Sequence, residues 1–129
     1  AILVAPPDLV GALPDHVLAR RFVPQLDLLP RLDAVVCHGG DNTVCEALAH
    51  RLPLVVAPIR DSQPVVAGQV VAAGAGIRVH YGRVGATELR QAITTVLDDP
   101  SYRAAARRVQ ASFAAAGGAA TAADHLEKL

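Results

Sequence analysis

The sequence predicts an α/β domain with a Rossmann-like, doubly wound and mainly parallel sheet. Short apolar runs of strand length alternate along the chain with segments whose apolar residues recur at helical spacing. The run Leu54-Val55-Val56-Ala57 contains no polar residue, which is typical of a parallel strand covered on both faces. Because 129 residues suffice for a substantial core, we expect residues 1–129 to form a single domain.

The expected elements alternate as in a parallel sheet that is built from crossover units. Apolar runs place the strands at 2–5, 17–23, 34–37, 54–57 and 76–79. Helical spacing and turn residues place the helices at 26–29, 42–50, 64–73, 87–97, 102–116 and 120–128. The first of these helices is a single turn.

Local signals support several helix ends. Pro64 suits the first turn of the helix over 64–73, and Gly74 suits its C-terminal end. Thr87 and Ser101 are the expected N-caps of the two helices that follow.

Charge balance and a scarcity of aromatic residues exclude several classes of function. Lys plus Arg and Asp plus Glu number 12 each, so no basic field is available to hold nucleic acid. Two Phe and two Tyr are too few for a base-stacking platform. No apolar run approaches the ~20 residues of a membrane span, and no segment has the layout of a signal peptide. We expect a cytoplasmic protein in which Cys37 and Cys45 are reduced, buried packing residues.

The segment from His38 to Glu46 carries the strongest functional signal. It reads His-Gly-Gly-Asp-Asn-Thr-Val-Cys-Glu and follows directly on an apolar strand. Glycines let the backbone approach an anion closely, and the first turn of a helix directs unpaired N–H groups towards it. His38, Asn42 and Thr43 can add side-chain donors. The segment predicts a phosphate cradle for a nucleotide or a nucleotide sugar.

Two other strands of the expected sheet also end in polar residues. Pro24 and Gln25 follow the strand over 17–23, and a polar segment that ends in Gln63 follows the strand over 54–57. Ligands of parallel α/β sheets bind at the carboxyl ends of the strands. We therefore expect these strand ends and the cradle to lie along one edge of the sheet.

The three strand ends together resemble the donor-binding half of nucleotide-sugar-dependent glycosyltransferases with the two-domain GT-B fold. The pattern is that of plant secondary-metabolite and actinomycete antibiotic glycosyltransferases. Residues 22–25, Phe-Val-Pro-Gln, are similar to the Trp-x-Pro-Gln segment of that family. Residues 38–46 are similar to its His-x-Gly-x-Asn-Ser/Thr-x-x-Glu segment, and residues 54–63 resemble its strand, Pro and Asp/Glu-Gln ending.

The resemblance implies a role for each of these residues. Phe22 would lie against the nucleobase, and the backbone of Val23 would bond to the edge of the base. Gln25 and Glu46 would meet the ribose hydroxyls, and Gln63 would contact the sugar. The cradle residues around the diphosphate would be His38, Gly39, Gly40, Asn42 and Thr43.

One position departs from the family pattern. The residue before Gln63 is Ser62, where the pattern has Asp or Glu, and Asp61 stands one place earlier. Either Asp61 reaches the sugar through a local shift, or Ser62 makes a weaker contact. Deoxysugars with fewer hydroxyls then become compatible with the site.

Simpler roles stay open for some of these residues. His38 could act as a general base or pack at the strand end. Phe22 could belong to the core, and Glu46 could be an ordinary surface carboxylate. Asp61 is equally well explained as a turn residue. A metal site is not expected, because the other histidines show no ligand spacing; they are His16, His50, His80 and His125.

The resemblance implies that the chain binds a UDP- or TDP-sugar as the C-terminal half of an inverting glycosyltransferase. The acceptor would be a small molecule such as a natural-product aglycone of antibiotic biosynthesis, and no cofactor is expected. No catalytic residue is assigned, because the resemblance places the general base on an N-terminal acceptor domain that is absent here. The isolated chain would bind the donor without transferring sugar, and its uncovered apolar surface would promote self-association.

Two other functions remain open. The chain could be the donor-binding subunit of a split glycosyltransferase whose partner subunit supplies the acceptor half. It could also be an epimerase-like or regulatory module that binds nucleotide sugars on the same scaffold. The lack of Met and the strand-like start suggest a piece of a longer polypeptide.

Overall fold

The computed structural model describes residues 1–128, so residue 129 of the expected domain lies outside the described residues. Strands and helices alternate, and every strand pairing is parallel. The predicted α/β class with parallel strands is therefore confirmed. The strands form two sheets, and the chain divides into two compact units, Ala1–Pro30 and Arg31–Leu129.

The first unit is built around a two-stranded sheet. Strand β1 (Ile2–Val4) pairs with β2 (Leu18–Arg20). Between the strands lies a one-turn helix, α1 (Pro7–Val10), and after β2 come α2 (Gln25–Leu28) and a 3₁₀ turn (Leu29–Arg31). Helix α1 was not predicted, whereas the single-turn helix expected over 26–29 is present as α2.

Strand β2 is shorter than the predicted strand over 17–23. The last ladder bond runs from the Ala5 N–H to the Arg20 carbonyl, at 2.9 Å. The neighbouring chain continues with Pro6 and Pro7, which have no N–H to donate. Residues 21–23 therefore leave the sheet, and Phe22 is not a strand residue.

The second unit is built around a three-stranded sheet in the order β3-β4-β5. These strands are β3 (Val35–Cys37), β4 (Leu54–Val56) and β5 (Gly76–Arg78). Every residue of the central strand β4 is fully buried, as its continuous apolar sequence predicted. Burying each of these side chains contributes about 1.5–3 kcal/mol to stability.

Five helices accompany this sheet, and each begins and ends within two residues of its predicted bounds. They are α3 (Asp41–Ala49), α4 (Gln63–Ala72), α5 (Ala86–Asp98), α6 (Pro100–Ala115) and α7 (Gly118–Leu126).

Helices cover both faces of the three-stranded sheet, as a doubly wound sheet requires. Val55 of β4 packs with Ala92 and Val96 of α5 on one face. Gly76 pairs with Leu54 in the sheet and therefore shares the opposite face. A Cβ added at Gly76 would lie 2.8 Å from Val70 Cγ1 of α4, so α4 covers that face.

Two predicted helix caps are wrong. No side chain caps α5 within residues 1–128, and the N-cap position is Gly85 rather than Thr87. The N-cap of α6 is Asp99 rather than Ser101, because the Asp99 carboxylate accepts a hydrogen bond from the Ser101 N–H at 2.9 Å. A carboxylate carries a negative charge that is favourable at a helix N-terminus, which explains why Asp99 is the N-cap.

The predicted end of α4 is correct. Gly74 adopts a φ of +72° just beyond the helix, a conformation that costs glycine little. Its N–H bonds to the Val71 carbonyl at 2.9 Å, and the Ala75 N–H bonds to the Val70 carbonyl at 3.0 Å. This pair of bonds is the Schellman motif that ends a helix sharply.

Gly76→Ala tests the close contact between α4 and the sheet. The new Cβ would lie 2.3 Å from the Leu54 carbonyl oxygen, so the backbone must move. We expect the free energy of unfolding to fall by about 1–3 kcal/mol, measured by urea denaturation. The matched control is Gly68→Ala in α4, where a Cβ meets nothing within 4 Å and stability should rise by about 0.5–1 kcal/mol. Equal effects at the two positions would contradict the packing described here.

The Asp99 cap predicts a specific dependence of stability on pH. Hydrogen bonds from the Ser101 hydroxyl and from its N–H lower the pKa of Asp99. A carboxyl whose pKa is lower in the folded state stabilises the fold above its unfolded pKa of about 4, and this contribution is lost as the pH falls through the folded pKa. The gap in denaturation midpoint between the wild type and Asp99→Asn should therefore narrow in acid. Ser101→Ala should weaken this pH dependence, and a gap that stays constant down to pH 2 would count against the cap.

Candidate functional site

The start of α3 forms the centre of the predicted cradle. Strand β3 ends at Cys37, and the helix begins at Asp41 after the two glycines. The first helical bond runs from the Val44 N–H to the Gly40 carbonyl, at 3.0 Å. The N-cap residue is Gly40, which has no side chain to cap the helix. The first turn thus presents backbone donors and the positive end of the helix dipole, as an anion site requires.

Gly39 packs closely against β4 and the start of α4. It is buried, with a φ of +89° that favours glycine. A Cβ at this position would lie 2.9 Å from Val56 Cγ1 and 3.3 Å from the Gln63 carbonyl oxygen. The loop before α3 therefore lies directly against β4 and the first residue of α4. Both the conformation and the space at this position require glycine.

The His38 side chain lies next to Gly40, at the start of α3. It is exposed, and a Cβ added at Gly40 would lie 2.9 Å from His38 Nε2. A larger residue at position 40 would therefore displace the imidazole ring. The exposure is inconsistent with simple packing at the strand end and leaves the ring able to meet a ligand at the helix start.

Asn42 and Glu46 lie on the face of α3 opposite its buried side. Their spacing of four residues places them one above the other, whereas Val44, Ala47 and Leu48 are buried. Asn42 is exposed, and Glu46 is half-buried. Thr43 is also half-buried, and Thr43 and Glu46 each take part in interactions within the chain. Asn42 and Thr43 therefore lie in the first turn of α3, and Glu46 lies one turn further along the same helix.

Gln63 orders the loop that precedes α4. Its side-chain oxygen accepts hydrogen bonds from the N–H groups of Ile59, at 2.9 Å, and of Arg60, at 3.1 Å. The oxygen end of the amide is thus engaged by the loop, so the Gln63 side chain meets a ligand chiefly as a donor through its NH₂ group.

Ser62 and Asp61 make different contacts. The Ser62 hydroxyl donates to Asp41 Oδ2 at 3.3 Å, across from the start of α3. Asp61 has a φ of +55°, and its Oδ2 lies 3.4 Å from Arg60 Nε in an exposed ion pair. The left-handed conformation agrees with a turn role for Asp61. The structure thus shows a third acidic group, Asp41, that the sequence reasoning missed.

The reason for missing Asp41 is its position in the motif. It occupies a variable position of the resembling pattern, between Gly40 and Asn42. The one available signal was chemical, namely an acidic residue opening a helix that is expected to bind an anion.

The remaining three site candidates lie in the first unit. Phe22 follows β2 by two residues and is 80% exposed, so its alternative role as a core residue is wrong. Val23 is half-buried, and Gln25 begins α2, where it is half-buried and makes contacts within the chain.

The two cysteines differ in environment. Burial raises the pKa of the Cys37 thiol, although a backbone hydrogen bond from Gly39 opposes this effect. A thiol with a raised pKa is a poor nucleophile at neutral pH. Cys37 is half-buried and Cys45 is exposed, so the expectation that both cysteines are buried is wrong. Both thiols are free.

The described part of the chain holds neither a cluster of metal ligands nor a membrane-spanning helix. Residues 1–128 contain no cluster of three or more His, Cys, Asp or Glu side chains placed to hold a metal ion. Within the same range, no helix combines the length and the apolar character needed to cross a bilayer.

Comparison with known sequences gives a match to one family. Residues 4–129 match the model of the erythromycin biosynthesis protein CIII-like C-terminal domain. The chain is 38% identical over 117 residues to 4'-demethylrebeccamycin synthase of Lentzea aerocolonigenes, covering 91% of this chain and 28% of that protein. It is 38% identical over 120 residues to demethyllactenocin mycarosyltransferase of Streptomyces fradiae, covering 93% and 26%.

Comparison with solved structures gives the same fold. The glycosyltransferase of kitacinnamycin matches with a TM-score of 0.87 and 34% identity, over 92% of this chain and 31% of that one. Glycosyltransferase VinC in complex with DTDP matches with a TM-score of 0.80 and 31% identity, over 84% and 27%. Os79 from O. sativa in complex with UDP and deoxynivalenol-3-glucoside matches with a TM-score of 0.68 and 30% identity, over 73% and 24%.

These likenesses confirm the predicted fold, the Rossmann-like C-terminal half of GT-B glycosyltransferases. The chain spans less than a third of the length of each of these relatives.

The bonds that Gln63 makes to its own loop give a testable prediction. In Gln63→Ala, the amides of Ile59 and Arg60 lose their acceptor, so their hydrogen exchange should become about fivefold faster, as expected for a bond of about 1 kcal/mol. Exchange measured by NMR would show this change. Gln69→Ala, at an exposed position of the same helix, should leave both amides unchanged. Unaltered exchange in Gln63→Ala would mean that the loop is ordered by other contacts.

Proposed function

The chain belongs to the family of erythromycin biosynthesis protein CIII-like C-terminal domains, and we propose that it is the donor-binding domain of an inverting glycosyltransferase. The observation that carries this proposal is the start of α3, where the chain passes from β3 through Gly39 to a glycine N-cap, Gly40. Such a start accepts an anion on backbone donors. Relatives of this chain bind DTDP and UDP in their crystal structures, so the ligand that we propose is a nucleoside diphosphate sugar.

Most of the hydrogen-bond donors that the second unit offers would bind the diphosphate. The first-turn N–H groups of α3, with the Asn42 and Thr43 side chains, would hold the phosphate oxygens. His38 would add a donor from the end of β3, beside Gly40. Hydrogen bonds to a charged oxygen are stronger than neutral ones, and the dipole of α3 adds to them.

The nucleoside would be held by side chains of different character. Phe22 offers an exposed aromatic face for the base, and the backbone of Val23 could read the base edge. Glu46 lies one helical turn beyond Asn42. It would accept hydrogen bonds from the ribose hydroxyls, which a carboxylate suits better than phosphate. Gln25 would share this role.

The sugar would lie near the start of α4. The Gln63 amide has its oxygen engaged by Ile59 and Arg60, so it would donate from its NH₂ group to a sugar oxygen. Ser62 and Asp61 remain candidate sugar contacts, with Ser62 directed at Asp41 and Asp61 paired with Arg60.

The chemical contribution of this domain would be stabilisation of the leaving group. In an inverting transfer, a base removes the proton of the acceptor hydroxyl, the oxygen attacks the anomeric carbon, and the diphosphate leaves with its bonding electrons. The negative charge that builds on the departing oxygen would be met by the donors at the start of α3. The base and the acceptor site would belong to an N-terminal domain, in the same polypeptide or on a partner subunit.

Several features of the whole enzyme follow as further parts of the proposal. The acceptor would be a natural-product aglycone, because 4'-demethylrebeccamycin synthase and the glycosyltransferase of kitacinnamycin are among the relatives. We treat residues 1–129 as one donor-binding domain, with transfer independent of metal. A cytoplasmic location is proposed on the two free thiols. Binding by a regulatory or epimerase-like module would use the same cradle but would support no transfer after fusion to an acceptor domain.

Calorimetric titration tests the proposed donor binding. The diphosphates of uridine, thymidine, guanosine and adenosine would be titrated into the chain, with and without Mg²⁺. We expect a pyrimidine diphosphate to bind independently of Mg²⁺. His38→Ala and Glu46→Ala should each weaken binding about tenfold, the value of one charge-assisted hydrogen bond.

Matched controls are available in the last helix. His125→Ala and Glu127→Ala remove the same groups at exposed positions within and just after α7 and should leave the affinity unchanged. Binding of none of the four diphosphates, or equal losses in the controls, would refute the proposed cradle.

A further inference from the structure

The contact between Asp41 and Ser62 joins two loops of the second unit, one before α3 and one before α4. Asp41 is the first residue of α3, and Ser62 directly precedes α4. The Ser62 hydroxyl donates to Asp41 Oδ2 at 3.3 Å, and both side chains are exposed. The Asp41 carboxylate is therefore directed to the α4 side of the cradle, where the sugar contact Gln63 also lies.

An acidic side chain at this position requires an explanation. Asp at the first turn of a helix is favourable for the free protein, because it offsets the helix dipole. In a diphosphate site the same charge repels the ligand, so Asp41 weakens the binding that we propose for α3. A carboxylate at this position can contribute to the binding of a nucleotide sugar if it contacts an uncharged part of the ligand.

The acceptors around the start of α4 are few. The Gln63 oxygen is engaged by two backbone N–H groups, and the Asp61 carboxylate is paired with the Arg60 guanidinium. Sugar hydroxyls need acceptors as well as donors. A carboxylate can accept about four hydrogen bonds, and one bond from Ser62 leaves most of that capacity to a ligand.

We propose that the Asp41 carboxylate, positioned by the Ser62 hydroxyl, accepts a hydrogen bond from a hydroxyl of the donor sugar. It would thereby replace the Asp or Glu that precedes Gln63 in the family pattern, where this chain has Ser62. The inference rests on the proposed function, since it assumes that the chain binds a nucleoside diphosphate sugar. It makes Asp41, rather than Asp61 or Ser62, the residue that determines sugar preference.

Asp41→Asn separates a sugar contact from simple charge repulsion. The probes are UDP and UDP-glucose, with TDP and TDP-glucose as the alternative pair, titrated into the chain by calorimetry. Removing the charge should leave the affinity for the free diphosphate unchanged or raise it, because repulsion is relieved. The affinity for the nucleotide sugar should instead fall about fivefold to tenfold, because a charge-assisted bond is lost.

A loss of affinity for the nucleotide sugar without a loss for the free diphosphate is the decisive result. If the variant binds both ligands more tightly than the wild type does, Asp41 acts only through its charge. If it binds both ligands as tightly as the wild type does, Asp41 has no role in binding. The inference is wrong in either case. If both affinities fall together, Asp41 supports the cradle rather than the sugar, and the inference is again wrong. If the wild-type chain binds neither pair, the proposed function itself fails, and this inference fails with it.

Asp61→Asn tests the competing assignment, because Asp61 is the other acidic candidate for the sugar contact. Asn tolerates the left-handed conformation that Asp61 adopts, so the loop should keep its shape. The control variant is Asp124→Asn, which makes the same change of charge at an exposed position of α7 and should leave both affinities within twofold of the wild type. A selective loss of nucleotide-sugar binding in Asp61→Asn, with none in Asp41→Asn, would assign the sugar contact to Asp61 and overturn the inference.

Two further measurements identify the positioning role and the hydroxyl. Ser62→Ala should reduce nucleotide-sugar affinity less than Asp41→Asn and should have no effect in the Asp41→Asn background. The 2-, 3-, 4- and 6-deoxy derivatives of the sugar donor identify the hydroxyl. One of them should bind the wild type more weakly than the parent donor does. The same derivative and the parent donor should bind Asp41→Asn with equal affinity. If the loss of affinity caused by each deoxy derivative simply added to the loss caused by Asp41→Asn, a direct contact would be contradicted.

Discussion

The close approach of Gly39 to β4 and to the start of α4 is the constraint on which the proposed site depends. Any side chain at this position would meet Val56 and the Gln63 carbonyl, and its φ of +89° is unfavourable for other residues. Because β4 is fully buried and paired on both sides, it cannot shift to make room. The loop before α3 and the loop before α4 are thus held at a fixed separation. That separation brings Ser62 within hydrogen-bonding distance of Asp41.

The features that follow from periodicity and from single special residues could be predicted from the sequence. The apolar run of β4 predicted a central strand, and alternation of strands and helices predicted a parallel sheet, since each pattern reports on burial. Gly74 marked the end of α4 because only a residue tolerant of positive φ fits there. The segment from His38 to Glu46 predicted the helix of the cradle, whereas the contact of Gly39 with β4 and with the start of α4 was not predicted. Its candidate roles rest on the family pattern together with this geometry.

Features that depend on a contact between distant segments could not be predicted. The end of β2 is set by the prolines after the neighbouring strand β1, not by its own residues. Asp99 caps α6 in place of Ser101, and helix-cap propensity does not distinguish between these two residues because both types are good N-caps. The hydrogen bonds of Gln63 to Ile59 and Arg60, and of Ser62 to Asp41, require the folded loops. The division into two sheets likewise follows from pairings that a strand pattern does not specify.

The charges around α3 explain how one helix end could serve both binding and departure of the proposed diphosphate. Backbone N–H groups carry only partial charges, so they stabilise an anion without the tight ion pairing that would slow its release. The Asp41 carboxylate lies at the same helix start, and its negative charge repels the diphosphate. A nucleotide sugar brings less negative charge to the cradle than the free diphosphate that remains after transfer. If Asp41 also bonds to the sugar, this attraction is lost when the sugar is transferred, and only the repulsion remains. The same carboxylate would then favour binding of the donor and release of the product.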